Sequence, residues 1–265
     1  MTDKIIDQQE PVRTPEEMNA SIAEVMSRVG LTLTEKQLKQ YVTYYNLLVQ
    51  VNQVMNLTAI TEFDDVIIKH YLDSVCLTYA ADYLNFTRNE DERTALPCRV
   101  LDMGSGAGLP GVPLKITWPQ IHLVMADSLA KRVTFLQNII AQCGLDHTEA
   151  VHARAEELGR DTNYRQQFDL CVSRAVADLS VLAEYTLPFV KVGGTAVYYK
   201  SAECREEVEQ AGHAIALLGG HIEQIISYTL PGTDIGRALV IVQKEHETPK
   251  QYPRKPGTPA KKPLR

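Results

Sequence analysis

The decapeptide Asp102-Met103-Gly104-Ser105-Gly106-Ala107-Gly108-Leu109-Pro110-Gly111 closes a short β-rich run and precedes a helical stretch, the place where a doubly wound sheet holds its ligand. Its glycines let backbone approach that ligand closely. No Gly-Lys-Ser/Thr follows, so this is not a phosphate-cradling P-loop, and a dinucleotide G-x-G-x-x-G counted from Gly104 would need glycine where Leu109 stands. An acid at the strand end followed by G-x-G-x-G suits a cofactor that carries an amino acid and a nucleoside without a pyrophosphate, which is S-adenosylmethionine. A second acid is then expected at the end of the next strand to accept the ribose hydroxyl protons, and Asp127 in Met125-Ala126-Asp127-Ser128 is correctly placed. Singly, Asp102 also reads as a turn-stabilising residue and Asp127 as the cap of a helix beginning at Ser128-Leu129.

Outward from this turn, β-rich and helical runs alternate. Strands are expected over 99–103, 121–127, 149–154, 168–174 and 195–200. Between the second and third, Leu129, Val133, Leu136, Ile139 and Ile140 make one apolar stripe, and Gly144 closes it as a C-cap. A helix over 202–218 leads to 222–230, the turn Pro231-Gly232-Thr233-Asp234, and 237–244, which together make a terminal hairpin. The expected fold is α/β: a doubly wound, mostly parallel seven-stranded sheet with its ligand at the strand carboxyl ends.

Upstream, Leu38, Tyr41, Val42, Tyr45, Leu48 and Val49 recur at helical steps behind Thr34 as N-cap, and a second helix is expected over 63–83. These form an N-terminal helical appendage, residues 34–96, whose tyrosines are read as core. Residues 1–33 show weak helical spacing over 18–29 alone and are expected to be a flexible lead-in. The catalytic core is set at 97–247. In the remaining stretch, 248–265, Pro249, Pro253, Pro256, Pro259 and Pro263 argue against any regular element.

The 265 residues, 45% hydrophobic and 23% charged, suffice to bury a core. No run reaches the roughly 18 apolar residues of a membrane span, and the polar, acidic start is unlike a signal peptide, so a cytoplasmic protein is expected. Cys76, Cys98, Cys143, Cys171 and Cys204 are odd in number and contain no C-x-x-C pair, which argues against disulfides and zinc. The net charge of −6 conceals an asymmetry. Residues 250–265 carry six cations and no acid, leaving −12 on the rest.

Asn56-Leu57-Thr58-Ala59-Ile60, Lys69-His70-Tyr71-Leu72-Asp73-Ser74, the glycine turn, Asp127-Ser128-Leu129-Ala130-Lys131-Arg132, Arg154-Ala155-Glu156 and Ser173-Arg174-Ala175-Val176-Ala177 together resemble the RsmG family, also called glucose-inhibited division protein B. The resemblance runs from about Leu38 into the tail, where Tyr252-Pro253-Arg254-Lys255-Pro256-Gly257 and Lys261-Lys262-Pro263-Leu264 are similar to the family's ending. It implies a class I S-adenosylmethionine-dependent methyltransferase fold and methylation of guanine N7 in 16S ribosomal RNA. Carried over by position, it implies cofactor contacts at Gly104, Gly106, Leu109, Asp127, Ser128, Ala155, Glu156 and Arg174. Read alone, Ala155-Glu156 is a helix start with an acid favoured by the helix dipole. Arg174, ending an apolar strand, would be expensive to bury unpaired.

Guanine N7 presents a lone pair and no proton, so orientation is required and a general base is not. The sequence agrees: the fourth strand ends in Val172-Ser173-Arg174-Ala175 rather than Asp/Asn-Pro-Pro-aromatic, and Cys171 is mid-strand. No catalytic residue beyond positioning is expected, with Arg174 and Lys200 as candidate base contacts; for Lys200 a solvated strand end is the competing reading. RNA-facing candidates are Lys131, Arg132, Arg254, Lys255, Lys261 and Lys262, the tail acting as a proline-stiffened arm on phosphates. Its removal from Thr248 onward should then weaken RNA binding more than cofactor binding. The competing readings are a solubility tail or one folded onto the acidic body. His70 and Asp73 lack a third metal ligand and are read as an interface between helices and sheet. The expected partner is 16S ribosomal RNA or the small subunit, with a monomeric protein and no metal. The alternatives are a nicotinamide-dependent oxidoreductase and a non-catalytic RNA-binding module on the same fold.

Overall fold

The computed structural model describes residues 13–84, 87–89, 92–95, 99–174 and 177–265. Cys98, Ala175 and Val176 lie outside them, as do residues 1–12. A short antiparallel pair, β1 (Thr87–Asn89) and β2 (Glu92–Ala95), precedes the main sheet. That sheet contains β3 (Arg99–Met103), β4 (His122–Asp127), β5 (Thr148–His152), β6 (Phe168–Arg174), β7 (Val190–Ser201), β8 (Gly220–Thr229) and β9 (Gly236–Lys244), in the order β5-β4-β3-β6-β7-β9-β8. β5, β4, β3, β6 and β7 are parallel, and β9 returns antiparallel between β7 and β8. The strand order reverses at β3, where the glycine turn leaves the sheet. All seven strands expected from sequence are present; β7 is longer because Val190 pairs with Phe168 before a register shift.

The helix over Ala130–Cys143 buries Val133, Phe135, Leu136 and Ile139 against the sheet, and Gly144 ends it at φ 58°. Glu35–Met55 starts at Thr34, whose hydroxyl accepts the Gln37 N–H while the Gln37 side chain accepts the Thr34 N–H. The stretch 63–83 is helical throughout, with a π-helical segment, Ile67–Leu72, and a 3₁₀ segment, Cys76–Tyr83. Tyr41, Tyr44 and Tyr71 are fully buried, and the Tyr41 and Tyr44 rings both pack on Tyr71. Tyr44 donates its hydroxyl to Ala107 O at 2.7 Å and Tyr41 to Pro113 O at 3.0 Å, so the N-terminal helices brace the glycine turn from behind.

Two expectations are corrected. Residues 15–27 are no frayed lead-in: Pro15–Ser27 is a helix with a Thr14/Glu17 capping box. Met18, Ile22, Val25 and Met26 form a helical stripe that joins the core cluster of Tyr41 and Leu48. Residues 248–265 are no free arm either. Tyr252 is buried, Arg254 pairs with the fully buried Glu184, and Thr258–Lys261 makes a helical turn with Pro259 buried. Prolines exclude a long helix but not docking, and the competing reading of a tail folded onto the acidic body holds, with Glu184 and Glu156 as its acidic partners. Among the described residues no helix is long and apolar enough to cross a membrane, and no His/Cys/Asp/Glu group could hold a metal ion.

Candidate active site

Two cavities open side by side at the carboxyl ends of the parallel strands. The first, about 250 Å³, lies over β3, β4 and β5, and is lined by Met103, Gly104, Ala126, Asp127, Ser128, Ala153, Arg154, Ala155, Glu156 and Tyr185, with Gly257 and Ala260 from the tail. The turn feeding it is shaped by close approaches. Gly108 has φ 94°, and a Cβ there would meet Val112 Cγ2 at 2.7 Å; a Cβ on Gly111 would meet Asp102 Oδ2 at 2.7 Å. Asp102 is fully buried, and its Oδ2 accepts the Gly111 N–H at 2.9 Å, which pins the far end of the turn to β3. Burial pushes the Asp102 carboxyl up to about 7.

Asp127, buried at the end of β4, accepts the Gly106 N–H on Oδ2 at 3.0 Å and the Leu129 N–H on Oδ1 at 2.9 Å. It therefore holds the glycine turn and closes a tight turn into the next helix without capping it, since that helix has Leu129 as its N-cap and no side-chain cap. Oδ1 keeps acceptor capacity for a second donor, Oδ2 also takes Arg132 Nη1 at a long 3.4 Å, and the residue faces the cavity. The expectation that Asp127 caps a helix beginning at Ser128-Leu129 is corrected, because the helix begins at Ala130. Glu156, also buried, accepts the Gly257 N–H on Oε1 at 2.8 Å.

The second cavity, about 430 Å³, sits at the ends of β6 and β7 and the start of β9. Ile60, Lys69, His70 and Asp73 face it from the N-terminal helical region, and Arg174, Tyr199, Lys200, Ser201 and Arg237 from the sheet. Buried Asp73 holds two arginines, Arg174 Nη1 on Oδ2 at 2.9 Å and Arg237 Nε on Oδ1 at 3.0 Å. Lys200 Nζ donates to Glu207 Oε1 at 2.6 Å and to Ala177 O at 3.0 Å. His70 shares a hydrogen bond with Thr58 Oγ1 at 2.9 Å; burial, reinforced by Arg174, lowers its pKa to about 4, so the ring is neutral near pH 7.

The structure brings together Gly104, Asp127, Ser128, Ala155 and Glu156 in the first cavity, and Gly106 joins through its N–H on Asp127. Leu109 is buried in the core cluster rather than on the cavity wall, because the turn continues into the helix Gly111–Thr117. Arg174 lines the second cavity, drawn there by Asp73. Lys131 is exposed; Arg132 lies 3.4 Å from Asp127. Lys255, Lys261 and Lys262 are exposed on the docked tail, whereas Arg254 faces inward on Glu184 rather than outward to RNA. Cys171 is buried within β6, and burial raises its thiol pKa far above the usual range, which removes it as a nucleophile. Sequence reasoning missed the tail residues Gly257 and Ala260 and the Asp73–Arg237 pairing. Their partners lie 101 or more residues away.

Residues 37–233 match the family described as GidB, rRNA small subunit methyltransferase G. A relative from Lachnoclostridium phytofermentans, named ribosomal RNA small subunit methyltransferase G, is 44% identical over 93% of this chain and 97% of its own length. One of the same name from Bacillus velezensis is 44% identical over 94% and 98%. Among solved structures, the fold is shared with MtNAS in complex with MTA and tNA, at 14% identity and a TM-score of 0.51 over 79% of this chain and 75% of that one. The matched stretch takes in both cavities except for the tail and Arg237, and on that ground this chain belongs to the family of rRNA small subunit methyltransferase G.

Proposed function

We propose that the protein transfers a methyl group from S-adenosylmethionine to N7 of a guanine in 16S ribosomal RNA, in the cytoplasm, with the donor in the first cavity and the base in the second. The observation that carries this reading is the adjacency of the two cavities at the β3–β6 boundary, one over β3–β5 and the other over β6–β7. When bound, S-adenosylmethionine supplies an electrophilic methyl group. The residues fit such a donor: Gly104 offers backbone without a side chain, and Asp127 offers two carboxylate oxygens to a pair of sugar hydroxyls.

The second cavity suits the acceptor. Arg174, Lys200 and Arg237 bring donors that complement guanine O6, and Asp73 offsets part of their charge. Entry of a base requires it to leave its stack, which is least costly in loops and single strands. The chain then acts by orientation. N7 has no proton to lose, and neutral His70, held between Thr58 and its own backbone neighbourhood, has no proton to remove. Small subunits lacking this methyl group, incubated with the protein and S-adenosylmethionine and mapped by mass spectrometry, should gain one methylated guanine. Methylation at an exocyclic amine or on a pyrimidine would overturn the base assignment.

A further inference from the structure

One wall of the first cavity does not come from the strand-to-helix connections. Gly257 and Ala260, beyond the last strand, complete its rim. The segment that carries them is anchored along its length. Lys244 Nζ donates to the Thr248 hydroxyl, Arg165 donates to Thr248 O and Tyr252 O at 2.7 and 2.8 Å, and Arg160 donates to Pro253 O at 2.7 Å. Gly159 leaves room for this crossing, since a Cβ there would meet Pro253 Cγ at 2.9 Å. Arg254 then locks onto buried Glu184, with Nη2 at 2.6 Å from Oε2. Past that lock the chain turns at Gly257, φ 78°, its N–H given to Glu156, and delivers Ala260 to the cavity.

We propose that this C-terminal strap is the wall against which the nucleobase of the donor packs, and that Gly257 and Ala260 set the space available to it. The inference rests on the donor reading above. It follows from the order of the strands. With the sugar at Asp127 on β4 and the reactive end toward β3 and the second cavity, the remaining part of a nucleoside donor extends the other way, over β5. Adjacent strands are about 4.8 Å apart, so the base arrives over Ala153–Glu156, where the strap closes the space. The cavity, at about 250 Å³, is also smaller than the roughly 300–1,000 Å³ usual for small-molecule sites. A strap this close narrows it to a slot suited to a flat ring. Glu156 has a double part: it belongs to the wall, and it holds the strap in place through the Gly257 N–H.

The test is calorimetry on the full-length protein with two ligands, S-adenosylmethionine and 5′-methylthioadenosine, which share the base and sugar but not the amino acid. Ala260→Trp fills the slot from the strap side. A second variant ending at Lys255 keeps the Arg254–Glu184 pair and the earlier anchors but lacks the wall. Both are expected to weaken the two ligands by the same factor, about tenfold, the scale of uncovering one ring face. Equal weakening of both ligands marks packing against the shared base, and thermal melts close to wild type for Ala260→Trp set a purely structural effect aside. Affinities within twofold of wild type in both variants would overturn the strap inference while leaving the donor reading intact. Absence of binding by the wild-type protein would overturn the donor reading, and the strap inference with it.

Discussion

Asp73 and Arg174 stand 101 residues apart in sequence and meet at 2.9 Å, Oδ2 to Nη1, at the mouth of the second cavity. The opposite oxygen of Asp73 takes Arg237 Nε at 3.0 Å, so one buried carboxylate aims two arginines from two strands into the same space. Removing one partner of a buried pair leaves uncompensated charge and costs about 3–5 kcal/mol. Asp73→Ala should therefore lower the melting temperature by roughly 10 °C in a thermal melt. A shift of under about 2 °C would show that water replaces Asp73 without cost.

Arg174→Ala and Lys200→Ala test the division of labour between the cavities. Each should lower kcat/KM for small-subunit methylation by about tenfold to a hundredfold, the range expected when a hydrogen bond to a base edge is removed. Binding of S-adenosylmethionine, followed by calorimetry, should change by less than about twofold. If both variants leave methylation rate and RNA affinity unchanged, neither side chain reads the base; if donor affinity falls instead, Arg174 serves the donor.

Asp127→Asn keeps the shape of the side chain and removes its charge. Its two backbone hydrogen bonds, from Gly106 and Leu129, include one oxygen that an amide nitrogen cannot reproduce. Donor affinity should fall by roughly tenfold to a hundredfold, as for charge-assisted hydrogen bonds. Equilibrium dialysis giving the wild-type dissociation constant would leave Asp127 as a brace of the glycine turn alone.

Asp102 gives the fold a pH dependence of unusual sign. Burial holds its carboxyl at about 7 against an ordinary 3.8, so between those values the folded chain carries a proton that the unfolded chain lacks. The stability this group contributes is full below about 3.8, falls as pH rises through that window, and is gone above about 7. Asp102→Asn removes the dependence. In melts at pH 5 and pH 8, the variant should gain on wild type at the higher value; an unchanged difference between the two proteins would show that Asp102 is ionised throughout.

The tail's lysines remain candidates for binding phosphate in their docked position. Replacing Lys255, Lys261 and Lys262 together with alanine should flatten the slope of log affinity for RNA against log salt, by about 0.7 for each single-strand phosphate that no longer meets a cation. A filter-binding titration across salt concentrations measures this directly. An unaltered slope would place the RNA on another face.

Much of the fold is readable from period and punctuation. The glycine turn after Asp102, the stripe of Val133, Leu136, Ile139 and Ile140 with Gly144 behind it, and the hairpin around Pro231-Gly232 are local signals, and each marks its element in the structure, whereas Leu129, read as the start of the stripe, is the exposed N-cap. The acids at the ends of the first two strands are legible for the same reason, since strand ends are fixed by nearby residues. Asp73 is legible as part of the interface between helices and sheet but not as the partner of two arginines, and Glu184 and Gly257 are not legible. Their importance comes from Arg174 and Arg237, from Arg254, and from Glu156, partners brought close only by the sheet order and by docking. Pro15–Ser27 is easily underestimated because four buried side chains in a short helix give a weak periodic signal, and its clearest mark is the capping box of Thr14 and Glu17. Composition allows both an arm and a tail folded onto the acidic body, and the second is what the structure holds, through Glu184 and Glu156 and through the backbone contacts of Arg160 and Arg165.

The hydroxyl of Tyr44 on Ala107 O ties the early helices to the loop that faces the first cavity, and the apolar residues of Pro15–Ser27 and Glu35–Met55 share one core with Val100, Leu114 and Leu136. This makes the protein poorly divisible. A fragment starting at Arg99 would keep every residue of the first cavity, yet it would leave the back of its glycine loop bare and expose an oily face that the intact molecule never shows to water. Grafting the sheet into a chimera, or trimming it to a minimal catalytic unit, therefore requires carrying the tyrosine-bearing helices along as part of the same indivisible piece.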